Sequence, residues 1–395
     1  MPIYHQLGDV PHKRHTVFRK SDGSLYAEEL IGNKGFTGPS SLLYHLHQPT
    51  PVREVKTLGD INWEGDPERQ FRHRLFHTHR MKTGGSLTLD RHPILFNSDV
   101  AMLFAQPDRE DDFFYRNAQG DEVVFVSEGD GVLETPMGEL AFKSGDYLVI
   151  PRGIVHRYRL GAGPKKFLII ESTGYVRTPK RYRNEHGQLT EHAPYSERDI
   201  RRPANLPTID EKGAFRLVVK KENRLFDMSL VYHPFDLVGW DGFYYPWALS
   251  IHDFEPRVGR FHLPPPVHQT FEGDGFVVCS FCPRPFDFDP NAVPVPYNHS
   301  NVMSDEVIYY ASSEFMSRKG IEFGSVTLHP DGIPHGPHPG RAEASIGATH
   351  TNELAVMMDT FRPLRVAKQA LPIEDPAYHR SWIDAQHAAF NPPTT

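Results

Sequence analysis

Only two cysteines, Cys279 and Cys282, occur in 395 residues, which leaves no material for a disulfide framework. Their C-x-x-C spacing in VVCSFC has neither a second ligand pair nor a βαβ context, so they read as inert, partly buried thiols. No apolar run approaches membrane-spanning length, and Met1–Leu30 lacks the apolar core of a secretory signal. A soluble, cytoplasmic protein with no membrane partner is expected. Nor is there a basic block: 43 Lys and Arg against 50 Asp and Glu give a net charge of -7, which argues against nucleic acid as a partner. Long amphipathic helical patterns are also scarce. With 35 prolines, that scarcity suits a mainly β, loop-rich chain, long enough for two domains or two fused halves.

What is abundant is histidine, 23 in all. The most informative stretch runs from Tyr297 to Pro339 and holds His299, Glu306 and His335. Two imidazoles and one carboxylate are the donors of a facial non-haem Fe(II) triad, which leaves positions open for substrate and O2. His299 and Glu306 are seven residues apart, an odd separation that would put them on opposite faces of one straight strand. The chain must therefore turn between them, and the polar run Asn301–Asp305 supplies the turn before Val307–Tyr310 resume as strand. Glu306 then opens that strand, while Asp305, the rival ligand, points the other way. His335 arrives from a second strand, after Pro330, Gly332 and Pro334 have re-aimed the backbone.

The same order occurs earlier, without its ligands. FFYRNAQGDEVVFVSEGDG followed by GDYLVIPRGIVHRY sets Glu122 against Glu306 and His156 against His335, with Tyr115 in place of His299. Two copies of one unit predict a duplicated sandwich with a single metal site. A DEV-type strand, a Gly turn and a late histidine resemble the cupin family of small jelly rolls. The fold expected is a bicupin: a metal-free N-terminal half at 1–215 and a metal-bearing C-terminal half at 216–395, with a short C-terminal helix.

Other stretches carry weaker signals. His77 and His79 form H-x-H, but arginines flank them and no acid follows at ligand spacing, so a solvated loop or subunit contact is expected. The polar segment 174–207 reads as a linker or lid. Trp240, Tyr244, Tyr245 and Trp247 suit core or subunit packing first, and an aromatic pocket wall second. Asp375 followed by Pro376 looks like the start of a helix reaching about Gln386, packed outside the sandwich with no chemical role.

SLYAEELIGNKGFTGPSSLLYHL, HPFDLVGWDGFYYP, NHSNVMS and LHPDGIPHGP, in that order over nearly the whole chain, resemble the homogentisate 1,2-dioxygenases. The resemblance implies cleavage of an aromatic acid, homogentisate, by O2 at Fe(II), giving maleylacetoacetate in tyrosine and phenylalanine breakdown. It also implies a homo-oligomer, a trimer or a hexamer built from trimers. The family's iron ligands fall on His299, Glu306 and His335, although an ungapped match would put the carboxylate on Asp305. Its phenol-deprotonating histidine matches His262, with His268 as the alternative, and His329 matches a further histidine orienting a ligand or substrate. Where the family has a substrate-contacting tyrosine, this chain offers Phe315 or Glu314. Arg318 or Lys319 is placed to hold a carboxylate, and another hydroquinone-like acid such as gentisate, or a non-oxygenase metal cupin, are the competing readings.

Overall fold

The computed structural model describes residues 3–35 and 37–383, and among these strands dominate. The one α-helix among the described residues is the five-residue Arg341–Ser345, beside several 3-10 turns. The chain forms two compact units. One takes residues up to Trp63, Thr83–Pro93 and Val100–Asp253; the other takes Glu64–Lys82, Ile94–Asp99 and everything from Phe254.

A boundary at residue 215 is corrected by these units. Leu237–Gly242 pairs with Thr37–His45, and Trp247–Ser250 pairs with Asp146–Ile150, so both strands complete sheets of the first unit. The second unit in turn takes Arg74–His77 from early in the chain as a sheet partner for Ser325–His329. Strand pairing between residues distant in sequence leaves no trace in local composition, so composition alone misplaces the boundary.

Each unit is built round one strand that opens on an acid. In the first, Asp121–Glu128 lies between Asp146–Ile150 and Lys166–Ser172. In the second, Asp305–Tyr310 lies between Ser325–His329 and Ala355–Thr360. Both strands are β-branched and aromatic, and burial on both faces accounts for their unbroken apolar run. Their registers correspond. Glu122 stands opposite Ile150 and Glu171; Glu306 stands opposite His329 and Asp359. Tyr115 pairs with His156 as His299 pairs with His335. The sequence repeat is thus a repeat of backbone pairing, and the fold is a mainly β, duplicated cupin.

Three further expectations meet the structure here. The segment 174–207 is neither linker nor lid, for Val176, Tyr182, Tyr195 and Ile200 are buried. Ala204 exchanges both backbone hydrogen bonds with Glu139, and Arg201 reaches Asp146 at 2.6 Å. Its few anchors are spaced too irregularly to register as periodicity. Trp240, Tyr244, Tyr245 and Trp247 are all core, and three of them pin loops: Trp240 Nε1 donates to Met137 O, Tyr244 Oη to Arg152 O and Tyr245 Oη to Ile3 O. At the C-terminus Asp375 is not the cap expected: its Oδ1 accepts the Ala377 N–H at 2.9 Å, but Ala377 occupies the cap position of the turn that follows, with no side-chain cap. The segment leads only into the 3-10 turn Tyr378–Arg380, and the rest of the expected helix, from residue 384, lies outside the described residues.

Candidate metal centre

Three side chains meet in the second unit. His299 Nε2 lies 3.5 Å from Glu306 Oε2, and His335 Nε2 lies 3.4 Å from Glu306 Oε1. All three ligand atoms fall within 4.8 Å of one another. Backbone geometry dictates this. The chain turns at residues 302–304 before the Glu306 strand begins. Gly332, at a φ of 77° that a side chain would resist, donates its N–H to Asn301 O and swings the backbone towards His335. His299 and His335 then exchange both backbone hydrogen bonds, at 2.8 and 2.9 Å, which sets their rings side by side.

The tautomers are fixed as well. Each histidine donates its Nδ1–H to the carbonyl two residues earlier, His299 to Tyr297 at 3.4 Å and His335 to Ile333 at 3.2 Å. Both Nε2 lone pairs are left aimed at the common point. His335 Nε2 is buried with no hydrogen-bond partner among the described residues, the mark of an atom built for something other than protein. The donor set and this orphaned nitrogen fit a divalent metal.

Asp305 is not part of the cluster. Its Oδ1 accepts the Asp331 N–H at 2.8 Å and its Oδ2 the Leu364 N–H at 2.6 Å, on the opposite side of the strand. Burial pushes the Glu306 carboxyl up, but the imidazoles of His299, His329 and His335 gathered round it outweigh burial and hold the group well below the usual carboxylate range. His329 is fully buried and donates Nδ1–H to Glu306 Oε1 at 2.7 Å. Burial brings its own pKa down to about 3, so it orients the carboxylate as a neutral imidazole. His329→Leu is expected to keep the fold and weaken metal affinity about 10- to 100-fold; isothermal titration of the metal-stripped protein measures it.

A pocket of 250 Å³ opens beside the cluster, with His299 and Glu306 in its wall. The other expected site residues distribute round it. Phe315 and Phe281 supply aromatic faces, and Arg257, Arg284 and Arg318 supply cations. Arg318 is buried and donates Nη1 to Gly336 O. Lys319 instead donates to Pro339 O and does not line this pocket. His262 stands with its ring half-exposed, 51% accessible, against Tyr297. His268 lies deeper, its Nδ1 without a hydrogen-bond partner among the described residues, with burial drawing its pKa down to about 3.

Some neighbours were not foreseen. Asp359, opposite Glu306, lines the pocket; burial and then the Glu306 charge push its carboxyl up to about 7. Its only signal was an acid within the apolar run AVMMDT. Tyr378, assigned no role from sequence, is buried with its Oη 3.5 Å from His329 Nε2, and Trp382 stacks on His338.

The equivalent place in the first unit explains its missing ligand. Tyr115 and His156 are buried there, His156 again donating Nδ1–H to the carbonyl two residues back, Ile154. Between them and Glu122 comes Arg91, whose Nη1 and Nη2 bind the two carboxylate oxygens at 2.8 and 2.9 Å. A guanidinium thus provides the positive charge that a metal would provide at Glu306. Burial raises the Glu122 pKa, yet Arg91 carries it down to about 2.

Residues 95–251 match the family model "Homogentisate 1,2-dioxygenase N-terminal". A protein of Saccharolobus solfataricus whose name reads "Putative dioxygenase" is 42% identical over 390 residues, 97% of this chain and 99% of that protein. A homogentisate 1,2-dioxygenase of Nitrobacter hamburgensis is 28% identical over 344 residues, 82% of this chain and 69% of the relative. Among solved structures, a cupin 2 conserved barrel domain protein from Leptotrichia buccalis covers 74% of this chain and 99% of its own at 10% identity, with a TM-score of 0.34.

Proposed function

The chain belongs to the homogentisate 1,2-dioxygenase family, and from that premise we propose that it opens the ring of homogentisate with O2, at Fe(II), giving maleylacetoacetate. The observation that carries the reading is the convergence of His299, Glu306 and His335 on one point in the wall of an aromatic, cation-lined pocket. Those three residues would hold the iron. An Fe(II) ion held by them would supply Lewis-acid and redox chemistry toward the phenol and O2.

The remaining work falls to the protein. Phe281 and Phe315, packed edge to face with centroids 6.1 Å apart, offer an aromatic wall to a ring, and the cations of Arg257, Arg284 and Arg318 match the charge of its side-chain carboxylate. His262, at the pocket wall, takes the phenolic proton and passes it to solvent, which its half-exposed ring permits. His268 lies in the same wall but, as a deeply buried, weakly basic imidazole, serves to shape the pocket. His262→Phe is accordingly expected to keep its iron and lose turnover by about 10²-fold or more. Iron content and oxygen uptake, read on one sample, check both halves. The family also supports assembly into trimers or hexamers, which light scattering measures.

A second substrate reading has a specific basis. Where the family places a substrate-contacting tyrosine this chain offers Phe315 or Glu314, so a different hydroquinone-like acid, such as gentisate, is the competing ligand. Anaerobic loading with Fe(II), followed by oxygen uptake against homogentisate, gentisate and hydroquinone, separates the cases. Uptake with homogentisate and the product's absorbance support the first reading. Uptake with gentisate alone transfers the substrate, and none with any ring acid sinks the oxygenase.

A further inference from the structure

The H-x-H pair, read from sequence as a solvated loop or subunit contact, lies at the end of a strand and in the turn after it. His77 ends the edge strand Arg74–His77, opposite Ser325, with only 5% of its side chain accessible. The chain then enters the 3-10 turn Thr78–Arg80, where the Thr78 N–H and hydroxyl both donate to Gly324 O. Across from it, the Glu322 N–H donates to Ser325 Oγ at 3.1 Å and Glu322 O accepts the Ser325 N–H at 3.0 Å. Backbone contacts on both sides therefore hold Glu322 against the two histidines. The acid is absent from local sequence because it comes from more than two hundred residues away.

The result has the dimensions of the first cluster. Glu322 Oε2 lies 3.5 Å from His77 Nδ1 and 3.1 Å from His79 Nε2, against 3.5 and 3.4 Å at Glu306. The three ligand atoms again fall within 4.8 Å of one another. His77 Nδ1 is buried and makes no hydrogen bond among the described residues, although it points at a carboxylate. Arg80 Nη2 is 4.0 Å from Glu322 Oε2, and both side chains are 55% accessible, so the guanidinium can swing into solvent.

We propose that His77, His79 and Glu322 form a second metal site, taking a borderline divalent cation of the zinc class. Two imidazole nitrogens and one carboxylate oxygen suit Zn2+, with water completing a tetrahedron. Its role is structural. It clips the edge strand Arg74–His77 to the turn leading into Ser325–His329, the strand that carries His329. The site rests on side chains separate from those of the proposed activity.

The test is Zn2+ stoichiometry of the metal-stripped, full-length protein, by equilibrium dialysis and atomic absorption, with thermal unfolding alongside. The wild type should bind two equivalents, Glu306→Ala and His79→Ala one each, and the double variant none. Zn2+ should raise the unfolding temperature of Glu306→Ala but not that of the double variant. Glu322→Gln serves where His79→Ala fails to fold. The second site is overturned if Glu306→Ala binds no zinc, or if His79→Ala and Glu322→Gln both retain the wild-type number. One equivalent lost in His79→Ala but kept in Glu306→Ala would instead support the clip and remove the first centre.

Discussion

Glu306→Ala and His335→Ala are each expected to take bound iron from about one per chain to near zero and to abolish oxygen uptake, with the fold intact. Glu306 is the only formal negative charge among the three ligands. Deleting it also leaves His329 Nδ1–H, now 2.7 Å from Oε1, without an acceptor. His335 contributes an Nε2 with no other partner among the described residues, so nothing nearby can replace it. Asp305→Asn provides the contrast. Its oxygens face the Asp331 and Leu364 N–H groups, so that variant should lose some stability and keep its iron. Iron content after gel filtration decides: an Asp305→Asn protein without iron, beside a Glu306→Ala protein that retains it, would refute the ligand assignment.

Arg91→Met should destabilise the first unit by about 3–5 kcal/mol, because it leaves the Glu122 carboxylate buried without its cation. The pair is bidentate and almost wholly out of water, with side-chain accessibilities of 5% and 0%. Replacing both members, as in Arg91→Met with Glu122→Leu, should recover most of the loss, since the cost lies in the stranded charge. Urea unfolding of the three proteins measures both, and a single variant as stable as the wild type would contradict the account. In the unmodified chain the Glu122 carboxyl is depressed, from 4.5 to about 2. The stability it contributes is therefore present above pH 4.5 and lost as pH falls through about 2.

Local pattern made the site legible and concealed its surroundings. The repeat of an acid-led strand, a glycine turn and a late histidine was visible because those features lie close together in the chain. Glu306 could be preferred to Asp305 because adjacent strand residues point to opposite faces, and the two carboxylates do face opposite ways. Arg91 was hidden, since nothing near it in the chain signals that its guanidinium enters the Tyr115–Glu122–His156 cluster. Glu322 was hidden for the same reason, and Asp359 because one acid in an apolar strand is unremarkable until its cross-strand neighbour is known. The aromatic run at Trp240–Trp247 was read correctly as core, where large rings need only a polar anchor at one edge.

The loan of Arg74–His77 to the later sheet sets a timetable. A ribosome that has made this tetrapeptide must add some 250 residues before Ser325–His329 exists to receive it. Until then its edge waits unpaired, and a fragment begun at residue 216 would never acquire it. Newly made chains therefore depend on Arg74–His77 remaining unclaimed until Ser325–His329 has been made.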